Sequence, residues 1–318
     1  MSSKLKRLVS SKVPSTYGGT TLIGYLCSRY NYQSRESWQQ LIQNGDLKVN
    51  GQLETVDFLL KSNDVIEYDF TPSEEPEVDT NYKIVYEDDF LMVLDKPGDL
   101  PMHPAGKYFN HTLWALLKQK METFHLINRL DRETSGLVLV AKNAETASKL
   151  AEQFEKGEVE KEYLTIVEGI FDEEIEGKGY LVKDAESPVR KKLRFVEAKD
   201  YEAYGKDGVR SDFKCLNKDD RFSLLKARIY TGKTHQIRAT LCSLGYPVVG
   251  DKIYGIDDSL FVKMIEKVLT EEDRARLILK RQALHAYKLI FSHPEKNEMM
   301  SFELDLPDDM KGVLSCLT

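Results

Sequence analysis

The chain has 318 residues, 41% apolar and 31% charged, with 45 basic against 52 acidic side chains and a formal net charge of −7. That length suits two domains and that mixture suits an ordinary soluble globular protein; no apolar run approaches the ~20 residues of a membrane span. The acidic total argues against indiscriminate nucleic-acid binding, so the distribution of charge matters more than its sum.

The opening "MSSKLKRLVSSKVPS" is basic but lacks the apolar core of a secretory signal. Cys27, Cys215, Cys242 and Cys316 are scattered without CxxC spacing, which fits reduced thiols in a cytoplasmic protein and no zinc site. Within residues 1–70, Trp38, Leu41 and Ile42 have the spacing of a helix face, and Asn44-Gly45 closes it as a C-cap does. "DLKVNG" then alternates as a short strand ending in an Asn-Gly turn, and "NDVIEYDF" reads as another strand. Residues 71–81, "TPSEEPEVDTN", hold prolines and acidic residues without apolar periodicity. They form a linker between a small N-terminal α/β domain and a second domain over 82–318.

In that second part "KIVYEDDFLMVLDKPG" predicts two strands joined by a tight acidic turn, and "TLWALLKQKMETF" a helix. "LVLVAK" is apolar almost throughout, which predicts a strand covered on both faces. "AETASKLAEQFEKG" carries Ala144, Ala147, Leu150, Ala151 and Phe154 at helical spacing, with Asn143 as N-cap. "EYLTIVEG", "KKLRFVEA" and "FSLLKARIYTG" read as strands. Strands outnumber helices and short turns join many of them, so the expected class is α+β, with a large mixed, mostly antiparallel sheet and flanking helices.

Chemistry is concentrated in two segments. "INRLDRETSGLVLVAKN" sets Asp131 between Arg129 and Arg132. Two guanidinium groups hold a carboxylate ionised, which suits a nucleophile or the partner of a developing cation better than a general acid. A surface ion pair or turn aspartate is the competing account of so short a motif. "YTGKTHQIRATLCSLGYPVVGDKIYG" clusters Lys233, His235, Gln236 and Arg238 after a strand, with Gly232 at a tight turn; the alternative there is a helix with a solvated basic face. The histidines show no metal-ligand spacing. Tyr163, at the start of a strand, is either core or a ring on which a base stacks, worth ~1–3 kcal/mol. Basic runs at Arg190, Lys191, Lys192 and Arg194, and at Lys226, Arg228, Lys233 and Arg238, suit an electrostatic footprint for phosphate, with a solvated charged face as the alternative.

In their order and spacing these motifs resemble the RluA-type pseudouridine synthases. The family's His-Arg-Leu-Asp-x-x-Thr-Ser-Gly is matched by Asn128 to Gly136, and its Gly-Arg-Thr-His-Gln-Ile-Arg by Gly232 to Arg238. Gly-x-Pro-x-x-Gly-Asp follows at Gly245 to Asp251, Lys-x-Tyr at Lys161 and Tyr163, and Leu-His-Ala at Leu284 to Ala286. The resemblance covers about Lys83 to the C-terminus. The segment "SRESWQQLIQNGDLKVNG" is similar to a small RNA-binding domain of a ribosomal protein.

The resemblance implies isomerisation of uridines in ribosomal or transfer RNA, by a monomer without metal, cofactor or membrane attachment. It implies that Asp131 is the catalytic aspartate, that Arg238 pairs with it, and that Tyr163 packs on the target base. Leu284 then lines the uridine pocket, and Arg129, Arg132, Lys233, His235 and Gln236 become substrate-binding candidates. Two departures stand out. Asn128 replaces a histidine and cannot titrate, and Lys233 replaces an arginine, keeping charge without the bidentate fork. A catalytically silent RNA-binding protein of this fold is the alternative. Glycoside hydrolysis requires a second carboxylate, for which Glu133 is the nearest candidate.

Overall fold

The computed structural model describes residues 7–30, 34–70, 75–171, 173–198 and 207–314; Cys316 and residues 71–74 of the expected linker lie outside them. The chain forms two compact units, Met1–Glu77 with His103–Ala115, and Val78–Met102 with Leu116–Thr318.

The first unit holds β1 (Arg7–Lys12), α1 (Leu22–Arg29), α2 (Arg35–Gln43), β2 (Leu47–Val49) and β3 (Val65–Phe70), with an antiparallel sheet in the order β1-β3-β2. Trp38 and Ile42 lie one helical turn apart on α2 and are both buried, with Tyr25, Leu26, Leu47, Ile66 and Tyr68 around them. The Trp38 ring meets Tyr68 edge-on at 5.1 Å, and its indole N–H donates to the Tyr30 carbonyl at 3.2 Å. The Asn-Gly turn after β2 has φ of 51° at Asn50 and 78° at Gly51, the left-handed pair that a two-residue hairpin turn demands. Part of the expected linker is structured. The Glu75 carboxylate accepts the backbone N–H groups of Phe109, Asn110 and His111 at 2.9, 2.9 and 2.8 Å. Phe109 is buried in this unit's core, which groups His103–Ala115 here although the sequence boundaries place that segment within 82–318.

The remaining elements are β4 (Lys83–Glu87), β5 (Leu91–Lys96), α3 (Leu113–Lys118), β6 (His125–Leu126), β7 (Ser135–Ala141), α4 (Ala144–Lys156), β8 (Glu160–Glu168), β9 (Glu174–Lys183), β10 (Leu193–Glu197), β11 (Gly208–Lys218), β12 (Phe222–Ile229), α5 (Gln236–Ser243), α6 (Ser259–Ile265), α7 (Glu271–Leu277), β13 (Leu284–Ser292), β14 (Met299–Glu303) and α8 (Asp308–Leu314). Their sheet runs β10-β9-β11-β12-β8-β13-β7-β5-β4, with β14 beside β13 and β6 beside β7. Among the described strands β13 and β7 are the one parallel pair, so the class is the mixed, mostly antiparallel α+β arrangement expected. Every residue of β7 is buried, as its unbroken apolar run predicts. Asn143 caps α4 by accepting the Thr146 N–H at 2.8 Å, and Gly157 ends that helix with φ of 73°.

The parallel pair places the loop before β7 against the start of β13, with Ser135 opposite His285 and Gly136 opposite Ala286. Gly136 has φ of 116°, and a Cβ there would collide with the Ala286 carbonyl. Gly136→Ala is expected to cost on the order of 3 kcal/mol or more through backbone strain and lost strand pairing. Urea denaturation checks this, and a loss below about 0.5 kcal/mol would contradict the close approach.

Candidate active site

Beside the middle strands of this sheet, where Tyr163 of β8, Ile229 of β12 and Leu284 of β13 lie, three segments meet. They are the loop between β6 and β7, the turn from β12 into α5, and the stretch leading into β13. Asp131 comes from the first and Arg238 from the second, 107 positions apart. Arg238 Nη1 donates to Asp131 Oδ2 at 2.7 Å, and the Gln282 side-chain amide reaches the same oxygen at 3.4 Å. Asp131 Oδ1 makes no hydrogen bond among the described residues; His235 Nε2 stands 3.8 Å from it. One oxygen is therefore fixed and the other presented, and 30% of the aspartate side chain stays exposed.

Arg238 is itself locked from behind. Its Nε and Nη2 donate to the two oxygens of fully buried Asp251 at 2.5 and 2.9 Å, the planar fork-to-fork pairing that arginine favours. Asp251 Oδ1 also accepts the N–H groups of Ile253 and Tyr254. Burial alone would raise the Asp131 pKa, but the Arg238 charge, nearby His235 and the hydrogen bonds outweigh it and hold the carboxyl below the usual range. The same balance lowers the Asp251 pKa. Arg238 shares its charge between both carboxylates, and its own pKa is raised even though burial opposes this.

The expectation that Arg129 and Arg132 hold Asp131 is corrected. Residues in a tight turn project in different directions, so sequence neighbours do not converge. Arg132 pairs with Asp99 at 3.3 Å and Glu133 at 2.7 Å, whereas Arg129 is exposed on the cavity rim. The loop is positioned instead by remote groups. Buried Lys96 donates to the carbonyls of Pro97, Leu100 and Arg132, Arg281 to that of Glu133, and Gln282 to the Thr134 hydroxyl at 2.6 Å. Glu133 binds Lys252 at 2.8 Å and does not line the cavity, so it offers no second carboxylate beside Asp131. Asn128 bonds β7, donating to the Leu137 carbonyl and accepting from the Leu139 N–H. Its amide supplies a donor and an acceptor at once, and the departure from histidine sits in the framework.

Asp131 opens on a cavity of about 170 Å³ lined by Arg129, Tyr163, Ile229, His235, Arg238 and Leu284, among others. A cavity of about 150 Å³ holds benzene, so the space suits one pyrimidine ring freed from its stack. Tyr163, Ile229 and Leu284 give it apolar walls and are themselves buried. Burial and the Asp131 charge both raise the Tyr163 pKa, so the phenol stays protonated. Lys233 also lines the cavity and reaches out to Asp207 at 3.7 Å. Gln236 lines it too, but its amide is committed to Thr231, Arg210, Ser211 and the Lys233 backbone. The substrate-binding candidates Arg132 and Gln236 are thus placed in the framework. Arg129, Lys233, His235 and Leu284 face the cavity.

Asp251, Gln282, Tyr254, Lys96 and Ile229 were absent from the predicted site. The Gly-Asp ending of the Gly245–Asp251 motif was the available signal for Asp251. Gln282 has no local pattern, because its role depends on the approach to β13. Among the described residues no group of three or more His, Cys, Asp or Glu is placed to hold a metal ion, and no helix is long and apolar enough to cross a membrane.

Comparison with known proteins points the same way. Residues 90–243 match a family model described as RNA pseudouridylate synthase. An uncharacterized RNA pseudouridine synthase of Chlorobaculum parvum is 34% identical over 91% of each chain. The ribosomal large subunit pseudouridine synthase D of Pseudomonas aeruginosa is 30% identical, covering 100% of this chain and 97% of that one. A mitochondrial tRNA pseudouridine(32) synthase of Saccharomyces cerevisiae is 30% identical over 74% of this chain, which spans about half (51%) of that relative's length. Among solved structures, human RNA pseudouridylate synthase domain containing 1 superposes with a TM-score of 0.54 at 23% identity, covering 77% of this chain and 97% of that one; that likeness speaks to the fold.

Proposed function

The chain belongs to the RNA pseudouridine synthases, enzymes that isomerise uridine within RNA, and on that premise we propose that Asp131 is its catalytic carboxylate. The observation that carries this reading is the asymmetry of the carboxylate, with Oδ2 held by Arg238 and Oδ1 facing a base-sized cavity. In the reaction the bond between uracil N1 and ribose C1′ breaks, the uracil turns, C5 bonds to C1′, the C5 proton leaves and N1 takes up a proton. No electron or group donor is consumed. An ionised carboxylate serves either by attack on C1′ or by removal of a sugar proton, and Arg238 keeps Asp131 charged and aligned for both.

The target uridine must leave its stack to reach this depth. Tyr163, Ile229 and Leu284 supply the apolar surface that receives it, while Arg129 and Lys233 on the rim suit the flanking phosphates. Structured ribosomal or transfer RNA is the proposed substrate class, supported by relatives named for each. The N-terminal unit, with its own core, is proposed as a separate RNA-binding module. The test is to map pseudouridines in RNA from cells with and without this protein, and to measure tritium release from RNA labelled at uracil C5. Specific sites should vanish without the protein and return with it; unchanged maps together with no tritium release would overturn the assignment.

A further inference from the structure

His235 is the N-cap of α5 and sits in the left-handed region, with φ of 59° and ψ of 16°. Histidine visits that region at a cost, and such strain persists where surrounding structure demands it. In that conformation the imidazole meets Tyr254. Its hydroxyl lies 2.9 Å from His235 Nδ1 and accepts the backbone N–H of Leu193 at 3.0 Å. A backbone N–H only donates, so the Leu193 bond occupies a lone pair of the phenol oxygen. Among the described residues the phenol proton has one acceptor, His235 Nδ1. The imidazole proton then resides on Nε2, the nitrogen that faces Asp131 Oδ1 at 3.8 Å. Burial, with the nearby Arg238 charge, pushes the His235 pKa down to about 4, so the ring is neutral near pH 7.

Two groups of opposite kind therefore flank one space, an N–H donor and a carboxylate acceptor. They are too far apart to bond each other. A hydroxyl group placed alongside both atoms can accept from Nε2 and donate to Oδ1 at about 2.8 Å each. If Asp131 acts on the ribose by either route proposed above, the hydroxyl brought beside it is the ribose 2′-OH, the group that separates RNA from DNA. We infer that His235 and Asp131 jointly bind the 2′-hydroxyl of the target nucleotide, making His235 a determinant of ribose specificity. Tyr254 is a positioning residue that sets the tautomer.

The test uses the full chain and a synthetic hairpin bearing the uridine identified by the mapping experiment, made with ribose or 2′-deoxyribose at that nucleotide alone. Wild-type protein should act on the deoxy hairpin about tenfold or more slowly. His235→Ala should slow the ribose substrate about tenfold and the deoxy substrate less than twofold. His235→Gln, which returns an N–H donor near the same place, should recover most of the ribose preference. Tyr254→Phe, which keeps the ring packing, should lower the ratio by freeing the tautomer. Thermal melting of each variant separates these effects from misfolding. Equal slowing of both substrates by His235→Ala, or equal rates on both by wild-type protein, would overturn the inference. Near-normal turnover of the ribose hairpin by Asp131→Asn would instead count against the assignment of Asp131 on which the inference rests.

Discussion

Asp131→Asn is expected to lower turnover at least about a thousandfold while leaving folding and RNA binding nearly unchanged. The amide keeps the shape of the carboxylate and an oxygen for Arg238 and Gln282 to bond. Arg238 retains its bidentate partner Asp251, so no buried charge is left alone. What disappears is the negative charge at the oxygen facing the cavity. The pH dependence gives a second check. Because the Asp131 pKa is depressed, the carboxylate stays ionised on acidification until the pH falls below the ordinary aspartate range near about 3.9. His235, at about 4, is also neutral above that point. The rate should show no acid limb between about pH 5 and 8 from either group. In stability terms, Asp131 contributes above its unfolded pKa and loses that contribution as pH falls through its lower folded pKa. The asparagine variant should therefore lose less stability than wild type below about pH 4. Near-normal turnover by Asp131→Asn on the mapped RNA would refute the assignment.

How much of this was legible in the chain depended on whether a contact is local. Trp38 and Ile42, Asn143 with Thr146, and the unbroken apolar run of β7 obey short-range rules, and the structure places them accordingly. β9 and β11 escaped because their burial alternates within acidic and polar segments, where charge masks the period of two. The site divides in the same way. Asp131 and Arg238 stand out in motifs, yet local reading gave Asp131 the wrong arginines, since pairing across 107 positions follows from sheet order rather than from spacing. Arg132 and Gln236 look like ligand contacts in sequence because they are polar and sit in functional motifs. Packing shows them spent on Asp99, Glu133 and the β11 backbone. Asn128 illustrates the converse. Its change of residue type looked like a change in chemistry, and its two bonds to β7 make it a change in scaffolding.

The largest stability effect is expected at Arg238, because the guanidinium is all that balances Asp251. Asp251 has a fully buried side chain and Arg238 is 5% exposed. Arg238→Met would leave a buried carboxylate without its cation, at a cost of about 3–5 kcal/mol. The backbone N–H groups of Ile253 and Tyr254 remain as its donors, yet they carry no net charge. Arg238→Lys keeps the charge and loses the fork, so it should recover part of the stability and little of the activity. Arg238→Met combined with Asp251→Asn removes both charges and should be more stable than Arg238→Met alone. The sign of the pH response distinguishes this account from a simple packing defect. In wild type the folded pKa of Asp251 is depressed, so its contribution to stability fades as pH falls. Without Arg238, burial dominates and raises the folded pKa above the unfolded one. The folded variant then binds more protons than the unfolded chain, and lowering the pH from about 7 towards 4 should stabilise it. Urea denaturation across that range reads the slope directly. If Arg238→Met instead loses stability in parallel with wild type on acidification, the buried pair is not what fixes Arg238 against Asp131.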